Sequence, residues 1–150
     1  VIHAFKYNGR RSLARPLAAM LRERGADVLA GATFVVPVPL HHTRRRRRGF
    51  NQADDLARAL GVPVCRALRR VRATETQTGL PAARRHRNVR GAFAPARHAT
   101  RLAGAVVVLV DDVSTTGATL DACARVLKQH GAIEVRALTA ARVIGPTTSA

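Results

Sequence analysis

The sequence predicts an α/β domain built on a mainly parallel sheet. Three observations carry that expectation. Segment 106–110 (VVVLV) is a short, mostly β-branched run of the kind that fills a strand covered on both faces. Behind it, Leu120, Cys123, Ala124 and Leu127 recur at i, i+3, i+4 and i+7, which is the spacing of one helix face. Segment 133–140 (IEVRALTA) then returns to strand composition, which completes a β–α–β unit.

The remaining elements follow in chain order. Residues 12–24 predict a helix with Leu13, Leu17, Met20 and Leu21 on one face. Ser12 is its candidate cap, Pro16 lies near its first turn and Gly25 is its expected stop. Residues 33–38 (TFVVPV) read as a strand that ends in prolines. Residues 51–60 read as a helix capped by Asn51, with Ala53, Leu56, Ala57 and Leu60 buried. Asp54 and Asp55 fall in its first turn, where the helix dipole favours them. A further strand is expected over 62–68. Residues 72–90 hold Gly79, Pro81 and many charges with little periodicity, and read as a long mobile loop of the sort that often forms a lid. A short strand near Ala92 and Phe93 returns from it, and Gly131 closes the helix 118–130.

Composition bounds the function. A chain of 150 residues favours one domain, expected over 1–144, with a frayed tail at 145–150. There is no Trp, so the core must be built from Ala, Val and Leu. Lys and Arg number 26 against 9 Asp and Glu, a formal charge of +17 that favours nucleic acid or phosphorylated small molecules. Cys65 and Cys123 have no CxxC partner, which argues against a zinc site, and Cys123 reads as a buried small residue. The scattered histidines read as surface residues. No apolar run approaches the ~20 residues that span a bilayer, and no signal peptide is apparent. The expectation is a soluble cytoplasmic protein whose oligomeric state the sequence leaves open.

The chemistry concentrates in 106–120. Two carboxylates, Asp111 and Asp112, are expected at the strand's carboxyl edge. The turn Ser114, Thr115, Thr116, Gly117, Ala118 and Thr119 leads into the helix. A strand–turn–helix unit points backbone N–H groups and the positive helix end at the turn, which suits phosphate. The carboxylates suit hydroxyls instead. A ligand with a sugar diol at one end and a monophosphate at the other, such as ribose 5-phosphate, satisfies both. A second basic constellation lies in 35–52, where Arg44 to Arg48 follow a proline-rich turn and precede a helix. Arg forks and backbone N–H groups in such a turn suit pyrophosphate.

The stretch DDVSTTGAT resembles the 5-phosphoribosyl 1-pyrophosphate (PRPP) motif of type I phosphoribosyltransferases. PVPLH, the arginines and RGFNQ look like the signature of the ComF/GntX family of phosphoribosyltransferase-like proteins. A further block is similar to the same family: Arg72, Thr74, Gln77 and Leu80, then Arg84, Arg87, Asn88 and Gly91-Ala92-Phe93. Lys6-Tyr7 with Gly9 adds a weaker match. Together these blocks run from about residue 5 to residue 142.

The resemblance implies a type I phosphoribosyltransferase fold and a Mg²⁺-dependent transfer from PRPP to an unidentified acceptor. Residues 114–119 would bind the 5-phosphate. Asp111 and Asp112 would hold the ribose hydroxyls and seat Mg²⁺, partly through water. Pro37, Val38, Pro39 and Leu40, with Arg44, Arg46 and Arg48, would take pyrophosphate. Arg72, Thr74, Gln77, Arg84, Arg87 and Asn88 would belong to the flexible loop. Five consecutive arginines cannot all converge on one pyrophosphate, so Arg45 and Arg47 are assigned to an outer, nucleic-acid side. The family is associated with DNA uptake in competence. That implies a rival expectation, a PRPP-responsive binder of single-stranded DNA. Members commonly carry an N-terminal zinc ribbon with CxxC pairs, and this sequence holds none.

Overall fold

In this computed structural model, residues 14–40, 51–72, 81–114 and 117–142 are described. The elements run in chain order as α1 (Ala14–Arg24), α2 (Ala26–Leu29), β1 (Phe34–Pro37), α3 (Gln52–Arg58) and β2 (Leu68–Arg70). Then come α4 (Ala82–Val89), β3 (Phe93–Pro95), a 3₁₀ turn (Arg97–Leu102), β4 (Val106–Ser114), α5 (Ala118–Gln129) and β5 (Glu134–Arg142). The main sheet is parallel, in the order β1-β4-β5, and a separate antiparallel ribbon pairs β2 with β3. The predicted α/β class with a mainly parallel sheet is therefore the observed one.

Strand β4 is the axis of the fold. Val107, Val108, Leu109 and Val110 are all buried, so both its faces are covered. Side chains alternate along a strand. Val107 and Leu109 enter one core with Cys123 and Leu127 of α5 and Leu68 and Phe93 of the ribbon. Val108 and Val110 enter the other, with Leu17, Ala18 and Leu21 of α1 and Leu56 and Ala57 of α3. Pro37 is tolerated in β1 for a reason visible in the ladder. The Val35 N–H points outward to the Pro63 carbonyl at 2.9 Å, and the Val38 N–H points inward to the Val110 carbonyl at 2.9 Å. By period two, position 37 faces outward, where a missing donor breaks no bond to β4.

Several expectations are corrected. Segment 62–68 is not a strand. Val64 makes a single parallel bridge to Val35, and the strand lies further on, at β2. Residues 72–90 are not one long loop, because α4 occupies Ala82–Val89. Pro81 precedes its first turn, where its missing N–H costs nothing, and Ala and Arg are good helix formers. Dense charge hid the pattern: Val89 is buried, whereas Arg84 and Arg87 are exposed. Strand β4 does not stop before the carboxylates but runs through them to Ser114, because β5 is equally long and pairs Asp111 with Thr139.

Gly25 ends α1, yet α2 begins on the next residue. A Cβ there would lie 2.6 Å from Leu138 Cδ1 and 2.6 Å from the Leu21 carbonyl, so close packing on β5 explains the glycine. Arg136 of β5 secures the same corner. Its guanidinium donates to the Val28 carbonyl at 3.0 Å and to that of Ala30, and pairs with Glu134 at 2.8 Å. That hydrogen bond holds the Glu134 carboxyl below its ordinary range. Among the described residues, no helix is long and apolar enough to cross a membrane.

Leu56 is fully buried on α3, whereas Ile133 is 67% exposed. Leu56→Ala is expected to cost about 2–5 kcal/mol through lost burial and a residual cavity. Ile133→Ala should stay within about 0.5 kcal/mol. Urea unfolding of both variants checks the contrast.

Candidate functional site

The carboxyl edges of β1 and β4 bring two of the predicted segments together. Register pairs Pro37 with Val110, so residues 37–40 emerge beside Asp111 and Asp112. Val38 is held from two sides. Its N–H donates to the Val110 carbonyl, and its own carbonyl accepts from Asn51 Nδ2 at 3.1 Å. The Oδ1 of Asn51 in turn accepts the Ala53 N–H at 3.1 Å. One side chain thus caps α3, as predicted, and ties that helix to the 37–40 loop.

The acidic pair is placed by strand alternation. Asp111 continues the face of Val107 and Leu109, and Asp112 that of Val108 and Val110. Both are half-buried. The Asp112 N–H donates to Asp111 Oδ1 at 2.8 Å, which fixes the orientation of that carboxylate. Beneath it, burial pushes the Cys123 thiol above its ordinary range; the Asp111 carboxylate adds to the shift and Arg70 opposes it. Asp111 and Arg70 therefore both face the neighbourhood of this buried sulfur.

Gly117 caps α5 at φ +78°, in the left-handed region that only glycine enters at low cost. A Cβ there would meet nothing within 4 Å. The conformation, rather than crowding, is what requires glycine. The turn then delivers Ala118, which is buried, and Thr119, which is half-buried, at the amino end of α5. That end carries the partial positive charge of the helix dipole.

Of the other candidates, Thr115, Thr116, the arginines Arg44 to Arg48, Thr74 and Gln77 lie outside the described residues. Arg72 donates from Nη2 to the Arg90 carbonyl at 2.6 Å, joining the end of β2 to the end of α4. Arg84 and Arg87 are exposed on α4, and Asn88 belongs to the same helix.

Two residues were missed. Arg70 lies with its guanidinium carbon 5.1 Å from the Phe93 ring centroid, in cation–π range, and its Nε is buried. Leu68 is buried in the α5-side core, and alternation sends Arg70 toward the same side. Its signal was the position two residues beyond a buried strand leucine. Gln52 is 2% exposed, and among the described residues its Nε2 has no hydrogen-bond partner. It stands four residues before Leu56, on the face that buries α3. An orphaned buried donor costs about 1–3 kcal/mol, which sets Gln52 apart from an ordinary core residue.

Among the described residues, no three His, Cys, Asp or Glu side chains converge as a metal cage. The acidic pair itself supplies hard oxygen donors at the site edge.

Comparison with known proteins agrees with this geometry. The phosphoribosyl transferase domain family matches residues 46–147. Competence protein F of Haemophilus influenzae is 37% identical over 95% of this chain and 66% of its own length. DNA utilization protein YhgH of Salmonella typhi is 38% identical over 91% of this chain and 63% of its own. The chain thus spans just under two thirds of the length of these relatives. Among solved structures, glutamine phosphoribosylpyrophosphate amidotransferase from B. subtilis superposes with a TM-score of 0.57 and 25% identity, over 87% of this chain and 26% of that one. With the order of its motifs, its parallel sheet and these matches, the chain belongs to the phosphoribosyl transferase domain family, as a ComF-type protein of the type I fold.

Proposed function

We propose that this domain binds PRPP at the carboxyl edge of β1 and β4 and transfers its phosphoribosyl group to an acceptor. The observation that carries this reading is the convergence of three pieces on one edge: the 37–40 loop locked by Asn51, the acidic pair ending β4, and the left-handed Gly117 at the amino end of α5. The α5 turn takes the 5-phosphate on backbone N–H groups. Asp111 and Asp112 reach the ribose diol from opposite sides of the sheet edge. The 37–40 loop receives the pyrophosphate, helped by the arginines of the following segment.

In the reaction, the C1–O bond to pyrophosphate breaks as a bond from the acceptor, usually a nitrogen, forms to C1, and the acceptor proton leaves to solvent or a base. Positive charge grows on the ribose ring in the transition state, and the two fixed carboxylates favour it electrostatically. No protein nucleophile is required. Two carboxylates beside substrate oxygens fit Mg²⁺, which binds through few protein ligands and several substrate oxygens. When bound, it would neutralise the leaving pyrophosphate. The setting for this chemistry is the cytoplasm.

A second reading is favoured by a separate observation. The relatives carry the names competence protein and DNA utilization protein, and this chain's net charge is +17. On that reading the domain also binds single-stranded DNA, with PRPP as a controlling ligand. Only four Phe and one Tyr are available for base stacking, so phosphate contacts would dominate.

Calorimetric titration with PRPP and Mg²⁺ tests the first reading. The Asp111→Asn/Asp112→Asn double variant is expected to bind PRPP at least about tenfold more weakly, about 1.4 kcal/mol, with an unchanged circular dichroism spectrum. Equal affinity in variant and parent would remove the ribose role.

Gly117→Val forces a β-branched residue into a left-handed conformation, at a cost of about 1–3 kcal/mol. The turn should shift and PRPP binding should fall below detection, while the far-UV spectrum stays native. A variant that keeps the parent's affinity would show that phosphate sits elsewhere.

A further inference from the structure

Helices α1 and α3 cover the sheet face opposite α5, and between them lies an open groove of about 530 Å³. It is lined by Arg15 and Arg22 of α1, by Asp55 and Arg58 of α3, and by Ala14 and Ala59. Among the described residues, none of those assigned to PRPP lines it. Three of the four charged residues in this lining, Arg15, Arg22 and Arg58, are cationic. Arg15 and Arg22 are exposed, and among the described residues neither has a hydrogen-bond or ion-pair partner. Asp55 is the single carboxylate among the described lining residues, and its Oδ2 is buried away from solvent. Arg58 is bridged to Asp54 at 2.8 Å, and Asp54 also holds Arg66 at 2.7 Å, so the α3 wall is fixed by ion pairs.

We propose that the α1–α3 groove is a binding track for the phosphodiester backbone of single-stranded nucleic acid, with Arg15 and Arg22 as its phosphate contacts. Three features select a strand over a compact ligand. The groove is open along its length and walled by two helices. Arg15 and Arg22 are seven residues apart on one helix, a rise of about 10.5 Å. That span matches roughly three nucleotides of a stacked strand at 3.4 Å each. Among the described residues no aromatic side chain lines the groove, and the contacts these residues offer are to phosphate. The α3 wall begins one residue after Asn51, the side chain that holds the 37–40 loop. A strand in the groove would therefore press on the same helix that positions the edge of the PRPP site.

This inference rests on the nucleic-acid reading above, and the test separates the two. Fluorescence anisotropy with a labelled 20-nucleotide mixed-sequence oligodeoxynucleotide, over a series of salt concentrations, is run on the parent and three double variants. Arg15→Gln/Arg22→Gln removes the groove contacts. Arg45→Gln/Arg47→Gln removes part of the arginine run. Arg97→Gln/Arg125→Gln removes the same charge from exposed positions on the 3₁₀ turn and α5. The groove variant is expected to lose about tenfold in affinity and to flatten the salt slope by about 1.4, the value for two lost phosphate contacts. The Arg97/Arg125 control should lose far less. Equal losses in groove and control variants would show a net-charge effect and overturn the groove. Loss only in the Arg45/Arg47 variant would overturn it while leaving the nucleic-acid reading intact. A parent that does not bind at low salt would overturn both. Displacement of the probe by a free 5′-mononucleotide at equal nucleotide concentration would make the groove a small-ligand site and overturn the strand assignment.

Discussion

The parallel pairing of β4 between β1 and β5 is the constraint on which the rest depends. It buries four successive apolar residues on two faces, so the strand cannot slip by one residue without exchanging its two cores. That fixed register decides where the chain turns polar. Pro37 ends β1 opposite Val110, and Asp111 begins the acidic pair immediately beyond. A one-residue slip would exchange the two carboxylates between the faces of the sheet. The site is thus an outcome of core packing, in the place where open parallel sheets usually hold ligands.

Around this axis individual polar contacts close specific gaps. Asn51 satisfies the first turn of α3 and the Val38 carbonyl together. Arg136 satisfies two carbonyls at the end of α2. Arg72 satisfies the end of α4. Each is a side chain doing work that backbone cannot do where a helix stops or a loop leaves a strand. In a chain so rich in arginine, part of the positive charge is therefore structural, spent on closing carbonyls, and is not available to a ligand.

Much of this could be read from the sequence where periodicity was clean. The VVVLV strand, the α5 face ending in Leu127, the Asn51 cap and the Gly117 turn all follow local rules, and the structure has them in place. The elements that were misread share one cause: the signal lay outside the segment. Helix α4 is hidden by its arginines, because its apolar anchor Val89 gains meaning only when it meets the core beside α5. The end of β4 depends on the length of β5, and the single bridge at Val64 depends on Val35. Gln52 and Arg70 escaped notice because a polar residue on a buried face looks like an interruption until its surroundings are known.

The two aspartates at the end of β4 look interchangeable in sequence, and the fold makes them different. Asp111 stands over a buried thiol and shares its surroundings with Arg70. Asp112 belongs to the side roofed by α1 and α3. Repacking α5 or the ribbon acts first on Asp111, and repacking α1 or α3 acts first on Asp112. Each half of the acidic pair is thus reached through a different core.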